Sequence, residues 1–535
     1  MTERFSEPSA TSRGWLRSHK KGIVEYSVKK LILVLAIAGL LLIVAFRVMT
    51  RPAVGNTRYI AQSQGTFRGG KACDGHTTIT PAMFNGLTNS PGDVIYICGT
   101  ITVPVNTPGL IVRGSGTSGK PITIDFDSGA VLASPEWPAE GTSGAIEIGG
   151  NSYIAINGNG GADGAVQGVI EATSNGDAGA ACLSGTCQNH GHSNGIEAGD
   201  GASNITIEGL AIIDMYVATN PSPGGGTCIY DHGAITNWTI NNNLMHDMGW
   251  CISLQYDSGT SSGITISNNR IYNIDHGIAL GGPHPGNMLT NVSIYGNAIH
   301  DYSNWDNAAD TWHHDGVHIW GYNDDGSDTI DGVNIYNNKF GGCIGKNVTA
   351  HIFVEGNKGG TSNVGIYNNT LIDTCMGNDN NGLLNIADPG VVIYNNTFIG
   401  ASTDTCMGVS NATNVTFVNN IASGCGILIW VDKNGNFSSS ALHNNIYTNC
   451  PGGNCFAYHG NYSRSFSSWQ NETGQDASPS AFVSKTQLSP DGVPQSRSAV
   501  IAAGANLTSL RIPALNTDLA GTPRPATGAW TVGAY

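Results

Sequence analysis

The sequence has little charge, and basic residues are the scarcer of its two kinds of charged group. Only 12% of the 535 residues are Asp, Glu, Lys or Arg. The first 51 residues hold nine of the 24 basic and three of the 39 acidic residues, so residues 52–535 keep 15 basic and 36 acidic groups, a net charge of −21. Between Lys120 and Lys339 the single basic residue is Arg270. Binding to nucleic acid needs a basic surface, so that class of function is excluded.

The sequence also lacks any Cys-x-x-Cys pair, which argues against a zinc ribbon. Its 12 cysteines are an even number. The short spacings in CLSGTC (182–187) and CPGGNC (450–455) predict loops closed by disulfides. Because disulfides persist in oxidising compartments, this cysteine usage predicts export from the cytoplasm.

No A-x-A cleavage site follows the apolar run LILVLAIAGLLLIVAF (31–46). Seven of the nine basic residues of this region precede the run, so the positive-inside rule places the N-terminus in the cytoplasm. We therefore predict a cytoplasmic segment at 1–30, a single transmembrane signal-anchor at 31–50 and a linker at 51–64. The remainder is then periplasmic or extracellular. A cleaved signal peptide, which would give a secreted protein, is the alternative.

Glycine (73 residues) is abundant, and asparagine recurs in a repeat. Segments such as ITISNNRIYNI (264–274), VGIYNNTLIDT (364–374) and VVIYNNTFIG (391–400) each join an alternating apolar stretch, an Asn turn and a second short apolar stretch. The second asparagine of each repeat falls at Asn243, Asn269, Asn297, Asn338, Asn369, Asn396, Asn420 and Asn445. The interval from Asn297 to Asn338 is the longest of the series. This periodicity indicates a solenoid.

A repeat of two or three short strands cannot bury its own apolar face, but it can do so when coils are stacked. Asparagine suits a fixed turn because it tolerates the left-handed conformation and its amide can form a ladder with the next coil. A leucine-rich repeat is the rival, but its L-x-x-L-x-L spacing is absent. The sequence therefore predicts an all-β, single-stranded parallel β-helix over 65–488, with 489–535 as a closing segment packed on it.

The NNxI and NNT repeats, together with PGDVIYICGTITV (91–103), SYIAING (152–158) and DLAGTPRPATGAWTVGAY (518–535), resemble bacterial right-handed β-helix proteins of the pectin lyase-like superfamily. The resemblance covers roughly residues 65–535. It implies a right-handed coil and a role on polysaccharides, by hydrolysis, elimination or epimerisation. No catalytic signature of those enzymes carries over. The scarcity of Lys and Arg in the central coils also counts against the calcium-and-basic-residue chemistry of many lyases.

The long interval contains DTWHHDGVHIWG (310–321), which concentrates histidine, aspartate and tryptophan. Alternation along the strand points Val317 and Ile319 into the core and His318 and Trp320 outward. Opposite these side chains, the preceding coil offers only Ala279 and Gly281, which predicts a shallow groove. Because side chains alternate between the two faces of a strand, His318 and Asp315 point to opposite faces unless a bend lies between them.

Stacking brings acidic and imidazole groups of consecutive coils within catalytic range, and paired carboxylates are the groups that cleave glycosidic bonds. The predicted catalytic residues are Asp315, Asp310, His318, His314, Asp275 and His276. The predicted substrate-binding residues are Trp320, Trp312, Tyr322, Arg270 and Gln255. In this hypothesis Asp315, with Asp310 or Asp275, acts on the sugar, while His318 or His314 orients a carboxylate.

Several alternatives stay open at this point. The same His and Asp residues could hold a metal, although no standard zinc motif matches. No cofactor is required, and Ca²⁺ at the acidic loop 322–328 is an option. The expected partners are a polysaccharide and, through the N-terminal helix, a membrane, with the chain monomeric. A polysaccharide lyase or epimerase and a non-catalytic surface adhesin are the competing functions.

Overall fold

The computed structural model describes residues 55–139, 141–163, 167–175, 193–199, 201–215, 226–231, 233–255, 259–282, 287–302, 313–322, 330–343, 348–357, 361–375, 382–437, 441–463, 465–477 and 479–535. The chain divides into two compact units, Met1–Val54 and Gly55–Tyr535. The predicted membrane span at 31–50 lies outside the described residues. Within the described ranges, no helix is long and apolar enough to cross a membrane.

The second unit is built from parallel strands that form three faces. The first face is a 13-stranded parallel sheet. Its strands are Thr57–Ile60, Val94–Ile97, Ile122–Phe126, Ser152–Asn157, Ser203–Glu208, Thr236–Asn241, Thr260–Ser267, Met288–Tyr295, Ile330–Tyr336, Thr361–Tyr367, Val392–Tyr394, Thr416–Val418 and Leu442–His443. The strand Thr57–Ile60 lies inside the range 51–64 that was predicted as a linker. The coils therefore begin before residue 65.

The other two faces are joined into a 24-stranded sheet, because the strands Leu244–Gln255 and Arg270–Gly282 run through both faces. The second face also contains Thr100–Thr102, Val131–Ser134, Gly168–Ala172, Leu210–Ile213, Ala298–His300, Lys339–Gly341, Thr370–Ile372, Thr397–Ile399, Ile421–Ser423, Ile446–Thr448 and Ala481–Val483. The third face also contains Leu110–Ile111, Ile146–Gly149, Asn194–Ala198, Thr227–Asp231, His314–Tyr322, Val348–Asn357, Gly382–Ile386, Thr405–Val409, Ile427–Val431, Phe456–Tyr458 and the antiparallel Asn461–Ser463.

Few other elements accompany the three faces in the described part of the chain. Two short strands, Gly65–Thr66 and Thr77–Thr78, pair antiparallel. The helices are Pro81–Phe84 and Phe466–Thr473, with 3-10 turns at Thr508–Leu510 and Pro513–Leu515.

Each strand pairs with its counterpart one coil later, and crossovers between parallel strands of one sheet are right-handed. The prediction of a right-handed parallel β-helix is confirmed.

The core runs along the inside of the stack as columns of aliphatic residues. Ile252, Ile278, Val317 and Ile352 are directly paired from coil to coil and are fully buried. The predicted inward positions of Val317 and Ile319 are therefore confirmed. Each coil buries its apolar face only against its neighbours, so the stack is held together by contacts between adjacent coils.

The predicted asparagine ladder is present, and it uses two adjacent positions of each turn. The first position has a positive φ, for example 55° at Asn337 and 52° at Asn368. The second asparagine is buried and donates from its side-chain amide to the next ladder asparagine. Asn297 Nδ2 donates to Asn338 Oδ1 at 3.0 Å, and Asn338 Nδ2 donates to Asn369 Oδ1 at 3.1 Å. The ladder runs without a break from Asn243 to Asn445.

The C-terminal segment packs on the ladder turns of the later coils. Leu507, Leu515 and Trp530 form an apolar cluster with Tyr367 and Tyr394 of the first face. The amides of the first turn asparagines donate to this segment, as Asn368 Nδ2 does to the carbonyl oxygen of Ala514 at 2.7 Å. These contacts account for the buried state of several first-face side chains at the C-terminal end.

Four disulfides occur in the described residues: Cys73–Cys98, Cys343–Cys375, Cys406–Cys425 and Cys450–Cys455. The last confirms the loop predicted at CPGGNC, whereas CLSGTC lies outside the described residues. Cys228 and Cys251 are buried thiols on neighbouring strands. The disulfides agree with the predicted oxidising compartment.

Candidate functional site

The third face brings together the central residues of DTWHHDGVHIWG and of the coils on either side. Strand register pairs His276 with Asp315 and Ala279 with His318. On the other side, His318 pairs with Phe353 and Trp320 with Glu355. Adjacent coils are about 4.8 Å apart, so side chains from these three strands meet directly.

Asp315 and His318 reach the same point although alternation along a regular strand would separate them. Alternation is interrupted between them, because a Cβ added at Gly316 would point into the core, towards Tyr302 and Phe340, and Val317 also lies in the core. The pairing register with the strand Val348–Asn357 shifts between His314 and Asp315, where the extra residue is Thr349 of that neighbouring strand.

One oxygen of Asp315 is the centre of a group of imidazoles. Asp315 Oδ2 lies 3.1 Å from His313 Nε2, 3.6 Å from His276 Nε2 and 3.6 Å from His318 Nδ1. The other oxygen, Oδ1, accepts a hydrogen bond of 3.0 Å from the backbone N–H of Ala350. We call His276, His313, Asp315 and His318 the His cluster.

Glu355 is a functional candidate that the sequence reasoning missed. Its Oε2 lies 3.1 Å from His318 Nε2, so His318 connects the His cluster to this carboxylate. The side chain of Glu355 is 34% exposed. No local motif surrounds it, and only the register with Trp320 in the preceding coil could have identified it.

Aromatic rings fix the imidazoles on three sides. Trp250 stacks on His276 with ring centroids 4.3 Å apart, and Phe353 stacks on His318 at 4.8 Å. Trp320 lies over Gly281, where an added Cβ would come within 1.9 Å of the indole. The predicted shallow groove over Ala279 and Gly281 is therefore wrong, because the ring of Trp320 covers it.

Burial divides the site into an inner and an outer part. The side chains of His276 and Asp315 are fully buried, and that of His318 is 5% exposed. His313, at 42%, and Glu355, at 34%, are the members open to solvent. Among the described residues, Asp315 is thus shielded by the rings around it, whereas its predicted catalytic role requires contact with the substrate.

The electrostatics of the site follow from this burial. Desolvation raises the pKa of Asp315 and is only partly offset by His313 and His318. Desolvation and the neighbouring imidazoles hold the pKa of His276 well below its usual range. The Asp315 carboxylate, whose Oδ2 lies 3.1 Å from His313 Nε2, raises the pKa of His313, whereas His318 lowers the pKa of Glu355.

The other predicted site residues lie apart from the His cluster or outside the described residues. His314 Nε2 lies 3.4 Å from Asp275 Oδ1 in a second, fully buried pair. Arg270 is on the second face, with its guanidinium 5.1 Å from the ring of Tyr272. Gln255 donates to Ser253 on the third face, two coils before Trp320. Asp310, Trp312 and the side chain of Tyr322 lie outside the described residues.

A cavity of about 440 Å³ opens on the third face next to the site. We call it the third-face groove; its lining includes Thr349, Asn385, Gly408, Trp430 and Tyr462. The column of outward positions runs from Phe353 to Asn385, Gly408 and Trp430 in successive coils. The third-face groove therefore continues directly from the ring that stacks on His318.

Two larger cavities, of about 520 and 560 Å³, lie between the second face and the C-terminal segment. One is lined by Ser423, Thr448 and Thr486, and the other by His300, Lys339 and Tyr535. None of the three cavities is lined by a member of the His cluster. Size alone therefore does not single out the third-face groove, and its importance rests on its position beside the His cluster.

The sequence matches no protein-family model. It matches no curated protein either. Solved structures with a similar backbone include the GH136 lacto-N-biosidase from Eubacterium ramulus, with 12% identity over 80% of this chain and 68% of that chain and a TM-score of 0.43. A complex of XylC with xylose has 11% identity over 90% of this chain and 98% of that chain, with a TM-score of 0.43.

The surface adhesin PfbA of Streptococcus pneumoniae is a third such structure, with 14% identity over 66% of this chain and 80% of that chain and a TM-score of 0.39. Because all three TM-scores are below 0.5, they assign no activity to this chain.

Proposed function

We propose that the protein binds a neutral polysaccharide along the third-face groove and hydrolyses its glycosidic bonds beside the His cluster. The observation that carries the proposal is Glu355, a half-buried carboxylate held by His318, on the strand whose Phe353 pairs with the groove residue Asn385. Glycosidic-bond cleavage needs a carboxyl group in contact with the sugar, as proton donor, base or nucleophile. Glu355 is a described residue of the site that can make this contact.

The groove lining fits a sugar polymer. Trp430 and Tyr462 offer aromatic faces on which sugar rings can stack, and Tyr462 is 56% exposed. Asn385 and Thr405 supply amide and hydroxyl groups. Asn385 Oδ1 accepts no hydrogen bond from the described part of the protein, so it is open to a sugar hydroxyl.

Charge selects the kind of polymer. The described lining of the cavity contains no Lys or Arg, and the chain beyond residue 51 carries a net charge of −21. An acidic polymer such as a polyuronate would be repelled by this net charge and would find no cation in the described lining to pair with its carboxylates. A neutral glycan avoids this repulsion, and hydrolysis is favoured over lyase chemistry for the same reason.

The test is a panel of neutral and acidic polysaccharides, assayed for new reducing ends and for unsaturated products. New reducing ends from a neutral polymer, lost in Glu355→Gln but with binding retained, would support hydrolysis at this site. Unsaturated products would assign a lyase instead. Binding with neither product would assign a non-catalytic glycan-binding protein, which the aromatic lining of Trp430 and Tyr462 would also suit.

We further propose that the chain is monomeric and anchored by the apolar segment at 31–50, with the β-helix outside the cytoplasm. The four disulfides support an oxidising compartment. Protease treatment of intact cells, followed by detection of the two ends of the chain, tests this arrangement. Digestion of the β-helix with protection of the N-terminal 30 residues is the expected result.

A further inference from the structure

The donor atoms of the His cluster are spaced as metal ligands are spaced. His276, His313, Asp315 and His318 each present one atom within 4.8 Å of the others. The three distances from Asp315 Oδ2 are 3.1, 3.6 and 3.6 Å. In a tetrahedral site with bonds of about 2.0–2.1 Å, neighbouring ligand atoms lie about 3.3 Å apart.

Hydrogen bonding within the described part of the protein does not account for this arrangement. Among the described residues, both ring nitrogens of His276 lack a hydrogen-bond partner, as do His313 Nε2, His318 Nδ1 and Asp315 Oδ2. Three of these four side chains are at least nine-tenths buried. Buried polar atoms in native proteins nearly always have partners, and one cation would bind one such atom of each of these four residues at once.

The surrounding contacts orient the donors as they do in known metal sites. The backbone N–H of Ala350 binds Asp315 Oδ1, which leaves Oδ2 to face the imidazoles. Glu355 contacts His318 Nε2, which leaves Nδ1 to face Asp315. A carboxylate on the outer nitrogen of a ligand histidine is a recurrent feature of metal centres. Trp250 holds the ring of His276 in place.

We infer that His276, His313, Asp315 and His318 bind one divalent first-row transition-metal ion. Three imidazoles and one carboxylate suit zinc or a similar ion, whereas calcium requires six to eight oxygen ligands. The partial exposure of His313 leaves an edge through which water or a substrate oxygen can approach. An ion at this position would polarise such an oxygen. The inference does not depend on the proposed hydrolysis.

A second His–Asp cluster on another face provides the matched comparison. Asp214, His246 and Asp247 also present atoms within 4.8 Å of one another. There, however, His246 Nδ1 contacts Asp247 Oδ2 at 2.5 Å, and Asp247 Oδ1 accepts from Asn273 Nδ2 at 2.9 Å. These atoms already have protein partners, so we expect no transition metal at this cluster.

The experiment measures Zn²⁺ and Co²⁺ binding to the full chain after chelator treatment. We expect one ion per chain and visible absorption bands of four-coordinate Co²⁺. His313→Ala should weaken Zn²⁺ binding by at least about 100-fold, and His246→Ala should leave it unchanged. His313 is partly exposed, so its removal should not prevent folding, which the thermal melting curve checks.

Glu355 separates metal binding from hydrolysis. Glu355→Gln keeps an oxygen to accept from His318, so we expect it to retain Zn²⁺ while losing hydrolysis. Glu355→Ala should lower Zn²⁺ affinity by about 10- to 100-fold. Absence of one-to-one binding in the folded full chain would overturn the inference. So would binding that is lost in His246→Ala and kept in His313→Ala. Failure of every polysaccharide would count against the proposed function alone.

Discussion

The asparagine ladder makes a quantitative prediction at Asn338, which closes the longest coil. Asn338 Nδ2 donates to the carbonyl oxygen of Ile294 at 2.9 Å and to Asn369 Oδ1 at 3.1 Å. Asn338 Oδ1 accepts from the backbone N–H of Asn297 at 2.9 Å and from Asn297 Nδ2 at 3.0 Å. Asn338→Ala removes all four hydrogen bonds from a fully buried position.

The cost of this change can be worked out from the partners that remain. Asn297 Nδ2 keeps its bond to the carbonyl oxygen of Ile266, and Asn369 Oδ1 keeps the bond from the backbone N–H of residue 338. The Ile294 carbonyl lies in the strand Met288–Tyr295, which is paired with Ile330–Tyr336, so the Asn297 N–H is the group left without an acceptor. A buried unsatisfied polar group costs about 1–3 kcal/mol, and Asn338→Ala should lower the free energy of unfolding by about that amount.

The assay is urea denaturation, with hydrogen exchange at the Asn297 amide as a local measure. The matched control is Asn337→Gly, at the residue immediately before Asn338. Asn337 has a φ of 55°, which glycine adopts readily, and its side-chain Oδ1 accepts no hydrogen bond in the described structure. We expect a change below about 1 kcal/mol for this control. An unchanged urea midpoint for Asn338→Ala, or an equal loss for both variants, would refute the reasoning.

Three further outcomes are expected. Glu355→Gln should lower kcat on the cleaved polysaccharide by about 10²- to 10⁴-fold with little change in KM; an unchanged kcat would remove Glu355 from the mechanism. Trp430→Ala should weaken binding of the same polymer by about tenfold through loss of stacking, measured by titration calorimetry, and equal affinity would place the polymer elsewhere. Burial, together with Asp373, raises the pKa of Asp404 to about 7. The unfolded carboxyl ionises near 4 while the folded one stays protonated, so stability should fall as pH rises from about 4 to 7. Asp404→Asn should therefore raise the melting temperature at pH 8 and leave it unchanged near pH 4; an equal difference at both values would contradict the assignment.

The sequence predicted the coil because its repeat is local. Alternation and the Asn turn lie within a few residues of each other, so Val317, Ile319 and the ladder positions could be placed before the structure was known. The pairing of His276 with Asp315 and of Ala279 with His318 across coils followed from the same alignment. The strand register determines which residues of adjacent coils are paired, and the repeat gives this register directly.

Burial and side-chain direction could not be predicted in the same way. Asp315 is buried because large rings fold over the small residues Ala279 and Gly281, and the alternation pattern treats those positions as open. The register shift at Asp315 depends on how two strands fit together. Glu355 was missed because it belongs to a different coil from the motif and has no unusual neighbours in the chain.

The ladder also bears on how such a protein can change over generations. Consecutive ladder asparagines are bonded at nearly the same distances whether 24 or 41 residues separate them in the chain. A loop can therefore lengthen, shorten or be exchanged between two such asparagines without disturbing the coils above and below. Residues beside the His cluster belong to the longest of these intervals between ladder asparagines. Changes in the loops can therefore alter specificity while the coils of the scaffold are kept, and each coil can acquire a new loop independently.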